Sequence, residues 1–195
     1  LDCLYAERKD RSILFWKSLP VSDTSTVLSK FVVASVVVPT GVFVLAGITS
    51  LVAAGILYLR FSGLASHLWD LSQWAQIYGV FLVGLVSGMF WYAPVVAYLM
   101  LVSAWARRSV VLWAFLPPVI ALLVEGYVFN TNYVSSFLRT RFGAPPSIEQ
   151  LSPNAPVPVV DLGAFFSSLH MWLGVVAAAL LLFGAIRIRR YRDDT

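Results

Sequence analysis

The residues able to do chemistry in this 195-residue chain are few and stand far apart. Cys3 is the only cysteine, which excludes an internal disulfide and a thiolate metal cluster. The chain has two histidines, His67 and His170, and one acid inside an apolar run, Glu125. An intramembrane metalloprotease needs paired acidic and histidine residues at helical spacing, and haem ligation needs histidines at matched depth. We therefore predict no catalytic, haem or metal site.

The elements that carry these residues are predicted to lie in a membrane. Hydrophobic residues make up 59% of the chain and charged residues 12%, against about 25% charged in an average soluble domain. The mean hydropathy is +0.80. The net charge of +4 does not indicate nucleic acid, because the basic residues stand at the ends of the apolar runs. The composition predicts an all-α, polytopic bundle in contact with membrane lipid.

Four apolar runs reach the roughly 20 residues that a helix needs to cross a bilayer. The predicted spans are 31–59, 77–104, 110–129 and 162–186. They form a predicted transmembrane domain, 31–195, preceded by a polar segment, 1–30. Pro94 and the Pro117-Pro118 pair are either hinges or fixed kinks.

The basic residues predict the orientation of these spans. If the N-terminal segment is cytoplasmic, only Arg60, Arg139 and Arg141 of the 14 Lys and Arg fall in outer connections, which leaves 11 on the inner side. Cytoplasmic loops of membrane proteins carry an excess of Lys and Arg. Both ends of the chain are therefore predicted to be cytoplasmic, in a bacterial plasma (inner) membrane.

The outer connections are predicted to contain interfacial helices. Residues 61–76 have helical periodicity, with Trp69 and Trp74 suited to an interfacial belt. The outer loop 130–161 opens with an amphipathic piece from Tyr133 to Phe142 and continues as a proline-rich, extended cap. On the inner side, the tight turn at 106–109 makes the second and third spans antiparallel neighbours.

The segment before the first span mixes charges with large apolar residues. Residues 7–17 predict a short cytoplasmic helix with an apolar face, which ends before Pro20. Ser22 or Asp23 then caps a new helix that leads into the first span. An exposed Phe-Trp pair beside charges is typical of a protein-binding surface. An amphipathic helix on anionic lipid is the alternative interpretation.

Here the chain resembles the membrane subunits of type-2 ATP-binding cassette (ABC) permeases. The resemblance is carried by the motif ER..RSILFWKSLPVS, residues 7–22, which is similar to the loop that holds the coupling helix of such permeases. The Arg107-Arg108 turn, residues 113–118 with Glu125, and the basic tail 187–192 are similar to their fifth span and cytoplasmic end. Members of the family have six spans, so two more are expected before Leu1.

The resemblance implies a mechanism and partners. A separate ATP-binding subunit would dock on the coupling helix, and two permease copies, identical or different, would switch between inward-open and outward-open forms. ATP would bind to the partner subunit and no cofactor to this chain, which contains no G-x-x-x-x-G-K phosphate loop. The implied coupling residues are Arg8, Arg11, Phe15, Trp16, Lys17, Leu19 and Pro20.

Three further residues are assigned two interpretations each. Glu125 lies either on a substrate path or gate, or in a structural role such as pairing with an outer arginine or hydrogen bonding a neighbouring helix. Gly84 and Gly88 form a G-x-x-x-G step that permits close helix packing, within the subunit or between subunits.

The leading prediction is a transporter permease, more often an exporter in this family. The alternatives are a membrane-embedded enzyme and a non-catalytic membrane assembly subunit.

Overall fold

The computed structural model describes residues 4–6, 22–60, 70–106, 109–143 and 162–191. Within these ranges the chain is helical and contains no strand. Four helical stretches are long and apolar enough to cross a membrane: Asp23–Arg60, Leu71–Trp105, Val110–Phe129 and Leu169–Tyr191. The predicted all-α bundle with four spans is therefore confirmed. The predicted coupling helix, the outer residues 61–69, the turn at 107–108 and the loop 144–161 lie outside the described residues.

Seven α-helices and two π-helical turns build the described part of the chain. In order they are α1 (Asp23–Val32), a first π turn (Val33–Val37), α2 (Val38–Arg60), α3 (Leu71–Trp105), α4 (Val110–Val124), a second π turn (Glu125–Phe129), α5 (Tyr133–Phe142), α6 (Leu162–Ser167) and α7 (Leu169–Tyr191). The first span joins α1 to α2, and the third joins α4 to the second π turn. The second span is α3 and the fourth is α7.

The start of the first span is capped as the sequence predicts. The hydroxyl of Ser22 accepts a hydrogen bond from the amide of Ser25 at 3.1 Å, which satisfies one of the free N–H groups of the first turn. Asp23 adds a negative charge at the positive end of the helix dipole. The polar start of this helix is thus well defined before the apolar run begins.

The first π turn lies just before Pro39. Pro39 has no N–H, so the carbonyl of Ser35 loses its usual partner four residues ahead. The amide of Val38 bonds instead to the carbonyl of Val33, five residues back, which widens the turn. The Ser35 hydroxyl donates to the carbonyl of Phe31 at 2.6 Å. The proline is therefore accommodated by a local change of helix type.

The second span begins earlier than its apolar run. Its helix starts at Leu71, whereas the sequence places the span at 77–104 and residues 71–76 in a separate outer helix. Asp70 caps it by accepting bonds from the amide and hydroxyl of Ser72, which lower the pKa of the Asp70 carboxyl. At about 1.5 Å per residue, a 35-residue helix is about 52 Å long and exceeds a hydrocarbon layer of about 30 Å.

The first turns of α3 pack against α2. Trp74 donates from its indole nitrogen to the hydroxyl of Ser50 at 3.0 Å, and its ring stacks on Tyr78. The Tyr78 hydroxyl donates to the carbonyl of Phe43. A Cβ at Gly47 would overlap the Tyr78 hydroxyl, so glycine is needed for this close approach. Trp74, predicted in an interfacial belt, therefore holds two spans together.

The fourth span differs from its predicted bounds at both ends. The predicted run 162–186 divides into α6 and α7, which are separated at Ser168, and α7 continues to Tyr191. The helix α7 packs most extensively on α3. Their shared core consists of small and medium apolar residues, among them Ala97, Met100, Ala178 and Ala185. Small side chains allow the two helix backbones to approach closely.

Much of the remaining apolar surface is exposed on the isolated chain. On α2, Leu45 is 64% exposed and Leu59 is 85% exposed, and many large apolar side chains of the other spans are similarly uncovered. A water-soluble monomer rarely exposes continuous apolar patches of this extent. The arrangement is compatible with an integral membrane protein whose lipid-facing surfaces are these helix faces.

Candidate functional site

The predicted coupling residues lie outside the described residues, but the chain on both sides of them is described. On the N-terminal side, the amides of Leu4 and Tyr5 donate to the hydroxyl of Ser103, at 3.1 and 3.2 Å. Leu4 is 3% exposed and belongs to the core cluster shared by α3 and α7. The chain before the predicted coupling helix is thus attached to the end of the second span.

On the C-terminal side, the attachment is an ion pair. The guanidinium of Arg189, near the end of the fourth span, donates from Nε to a carboxylate oxygen of Asp23 at 3.0 Å. The Arg189 side chain is 5% exposed and that of Asp23 is 27% exposed. The segment 7–21 therefore has one flank joined to the second span and the other joined to the fourth, at the same end of the bundle.

At the opposite end of the bundle, Glu125 caps the helix α5. Its carboxylate accepts hydrogen bonds from the amides of Val134, at 2.7 Å, and Ser135, at 3.1 Å, and from the hydroxyl of Thr131. These amides are free N–H groups at the start of α5, where the helix dipole favours a negative charge. Of the two interpretations of Glu125, this geometry corresponds to hydrogen bonding of a neighbouring helix. Its role in a substrate path remains a prediction.

The other end of α5 is held by the second span. The indole nitrogen of Trp91 donates to the carbonyl of Arg141 at 3.2 Å, and the Tyr92 hydroxyl donates to the carbonyl of Gly143 at 3.0 Å. Carbonyls at a helix C-terminus have no partner within the helix, so these bonds satisfy two groups that would otherwise be free. The short outer helix is therefore fixed at its N-terminus by the third span and at its C-terminus by the second.

Arg141 is the most unusual side chain at this end of the bundle. It is 5% exposed, and its guanidinium carbon lies 4.5 Å from the centre of the Trp91 ring. Nη1 donates to the carbonyl of His170 at 3.2 Å. Nε and Nη2 are buried and have no hydrogen-bond partner in the described part of the chain. A cation–π contact contributes about 1–2 kcal/mol, whereas burying an unpaired ion costs several kcal/mol.

A cavity of about 420 Å³ lies beside this arginine. Its walls combine apolar surfaces, such as those of Trp91, Phe137 and Leu173, with the hydroxyl residues Ser136 and Thr140. Volumes between about 300 and 1,000 Å³ are typical of small-molecule sites. Sequence reasoning counted Arg141 only as an outer-loop charge and missed both the cavity and the buried cation.

Close approaches occur at two glycines that the sequence did not single out. These are Gly47, where a Cβ would overlap the Tyr78 hydroxyl, and Gly174, where a Cβ would overlap Nη2 of Arg141. Around Gly88, the nearest atoms a Cβ would meet are the ring of Tyr92 on the same helix, at 3.9 Å, and Gly84 accepts a bond from the hydroxyl of Ser87. The role of the G-x-x-x-G step in helix packing, within the subunit or between subunits, remains a prediction.

The polar groups described at this end of the bundle offer hydrogen bonds and one buried positive charge. His170 is exposed, and its backbone carbonyl serves the Arg141 guanidinium; His67 lies outside the described residues. No group of three or more His, Cys, Asp or Glu that suits a metal ion occurs among the residues the structure describes. The described end of the bundle thus offers one acceptor, the Glu125 carboxylate already used by α5, and one buried cation, Arg141, with two free donor atoms.

In comparisons with family models, curated proteins and solved structures, no match to this chain is found.

Proposed function

We propose that this chain is part of the membrane permease subunit of an ABC transporter, an exporter of the type-2 class. In this proposal it resides in a bacterial inner membrane with both ends cytoplasmic and pairs with a second permease copy. A separate ATP-binding subunit supplies the energy. The four apolar helices and the resemblance of residues 7–22 to a coupling segment support this assignment.

The observation that carries the proposal is the attachment of that segment at both flanks. Leu4 and Tyr5 are bonded to Ser103 of the second span, and Asp23 is paired with Arg189 of the fourth. A force applied to residues 7–21 would therefore reach two spans through buried contacts. A coupling element needs such connections, because a segment held only by flexible chain would move without moving the bundle.

The proposed mechanism follows from these attachments. Closure of the ATP-binding subunits on ATP displaces the coupling helix, and the Asp23–Arg189 pair transmits the displacement to the start of the first span and the end of the fourth. The core between α3 and α7 contains small residues, so the two helices can shift along each other with little change in packed volume. This chain supplies the path and its partner supplies ATP hydrolysis.

Substitution of the aromatic residues of the coupling segment tests the proposal. In the full-length protein, we expect Trp16→Ala and Phe15→Ala to reduce co-purification of the ATP-binding subunit at least tenfold while membrane insertion is unchanged, because buried aromatics dominate interface energies. Phe142→Ala is the matched control, since this aromatic is 65% exposed and lies at the opposite end of the bundle. Unchanged co-purification and ATP hydrolysis in both variants would contradict the coupling role.

A further inference from the structure

We propose that the cavity beside Arg141 binds the oxyanion group, a phosphate or carboxylate, of an amphipathic molecule. The inference does not depend on the transporter assignment, since it rests on a buried cation with unused donors and on the walls around it. It applies whether the bound molecule is a membrane lipid or a transported cargo.

The unused donors of Arg141 form a fork. Nε and Nη2 are buried and unpartnered among the described residues, while Nη1 is occupied by the His170 carbonyl. In a planar guanidinium, the N–H groups of Nε and one terminal nitrogen point in parallel, which matches two oxygens of a carboxylate or phosphate. The edge left free is therefore suited to an oxyanion.

Burial limits the contact of this fork with bulk water, since Arg141 is only 5% exposed. Arg141 lies against Gly174 of α7, thirteen residues before Arg187, the first basic residue of that helix's end. Gly174 is also only five residues after the start of α7 at Leu169, so the guanidinium lies about 20 Å from the basic end of this helix and about 8 Å from its start. A buried charge is stabilised by an opposite charge or by hydrogen bonds to its free groups.

The side chain of Arg141 is held in this position by specific packing. The Trp91 ring lies beneath the guanidinium, and the Trp91 indole nitrogen holds the Arg141 carbonyl, so one residue fixes both the backbone and the charged group. Gly174 provides the space, because any Cβ there would overlap Nη2. Such a prearranged cation loses little conformational freedom when a ligand binds.

The walls of the cavity indicate the rest of the ligand. Phe137, Leu173 and Pro94 provide apolar surface, and the hydroxyls of Ser136 and Thr140 provide polar contacts beside the arginine. A cavity of about 420 Å³ accommodates a headgroup and the first part of an alkyl chain. An amphiphile with an anionic head places its charge on Arg141 and its chain along the exposed apolar helices.

The binding experiment uses the full chain purified in a neutral maltoside detergent, with dodecyl phosphate as the probe in isothermal titration calorimetry. We expect saturable one-to-one binding that Arg141→Gln weakens at least tenfold. Arg139→Gln is the matched control, because Arg139 is an exposed arginine on the same helix, and it should change the affinity less than twofold. Equal affinity of the wild type and Arg141→Gln, or no binding by the wild type, would overturn the proposal.

Additional binding measurements distinguish the possible ligands of Arg141. If sodium phosphate binds as tightly as dodecyl phosphate and with the same dependence on Arg141, the ligand is a free oxyanion and the amphiphile part of the proposal is wrong. If Glu149→Gln or Asp161→Asn strengthens dodecyl phosphate binding tenfold, a carboxylate of this chain occupies the fork and the proposal fails. Should Arg141→Gln not fold, Ala177→Phe fills the cavity without removing the cation, and it should abolish binding.

Discussion

The capping role of Glu125 leads to a prediction that can be worked out in detail. Its carboxylate accepts from the amides of Val134 and Ser135 and thereby closes the N-terminus of α5. Glu125→Gln keeps the size of the side chain and one acceptor oxygen. It replaces the second oxygen by an NH₂ group, which donates rather than accepts and cannot serve the Ser135 amide.

The expected effect follows from these two losses. A partly buried amide left without an acceptor costs about 1–3 kcal/mol, and loss of a negative charge at a helix N-terminus costs about 0.3–1 kcal/mol. We therefore expect local opening of α5 to become easier by about 2–3 kcal/mol. Since each 1.4 kcal/mol corresponds to a factor of ten, the amides of α5 should exchange roughly 30- to 150-fold faster.

Hydrogen–deuterium exchange of the detergent-solubilised protein measures this effect on peptides that cover residues 133–142. Asp70→Asn is the matched control, because Asp70 caps α3 and its replacement should leave exchange in α5 unchanged. If Glu125→Gln leaves the exchange of α5 at the wild-type rate, the carboxylate does not hold this helix, and a different role for Glu125 must be sought.

Two further predictions concern the topology and the inner ion pair. With the native cysteine replaced, cysteines at Ser66 and Ser147 should react with an impermeant thiol reagent in intact cells while one at Ser109 should not; the reverse pattern would contradict the proposed orientation. Asp23→Asn should destabilise the protein by about 1–3 kcal/mol, since it removes one negatively charged partner of the buried Arg189, and lower the Tm by about 2–10 °C. An unchanged Tm would show that this pair does not stabilise the bundle.

The helices could be predicted because each is determined by residues that are neighbours in the sequence. An apolar run of some 20 residues specifies a span wherever it occurs, and the cap at Ser22 follows from a few neighbouring residues. The predicted bounds of the spans were less accurate where a helix extends beyond its apolar run. The helix α3 continues past the end of its apolar run to Asp70, because capping and the contacts of Trp74 and Tyr78 stabilise turns that hydropathy does not report.

The site around Arg141 could not be predicted, because it is formed by residues that are far apart in the sequence. Arg141 becomes buried only when α5 lies between Trp91 of the second span and Gly174 of the fourth, residues 50 and 33 positions away. Nothing in the neighbourhood of Arg141 in the sequence distinguishes it from the exposed Arg139 two residues earlier. Glu125 could be identified from the sequence as an unusual acid. Its hydrogen-bond partners could not, because they depend on the turn of the chain at Asn130, which adopts a left-handed backbone conformation with φ of 47°.

The attachment of α5 at both ends has a consequence for any movement of the bundle. The helix bridges the third span, through Glu125, and the second span, through Trp91 and Tyr92, while its arginine rests on the fourth. Three spans therefore cannot separate at this end without breaking one of these links. The place where the bundle opens therefore depends on which link is weakest, and a molecule bound to Arg141 would act on the contacts of this arginine with both the second and the fourth span.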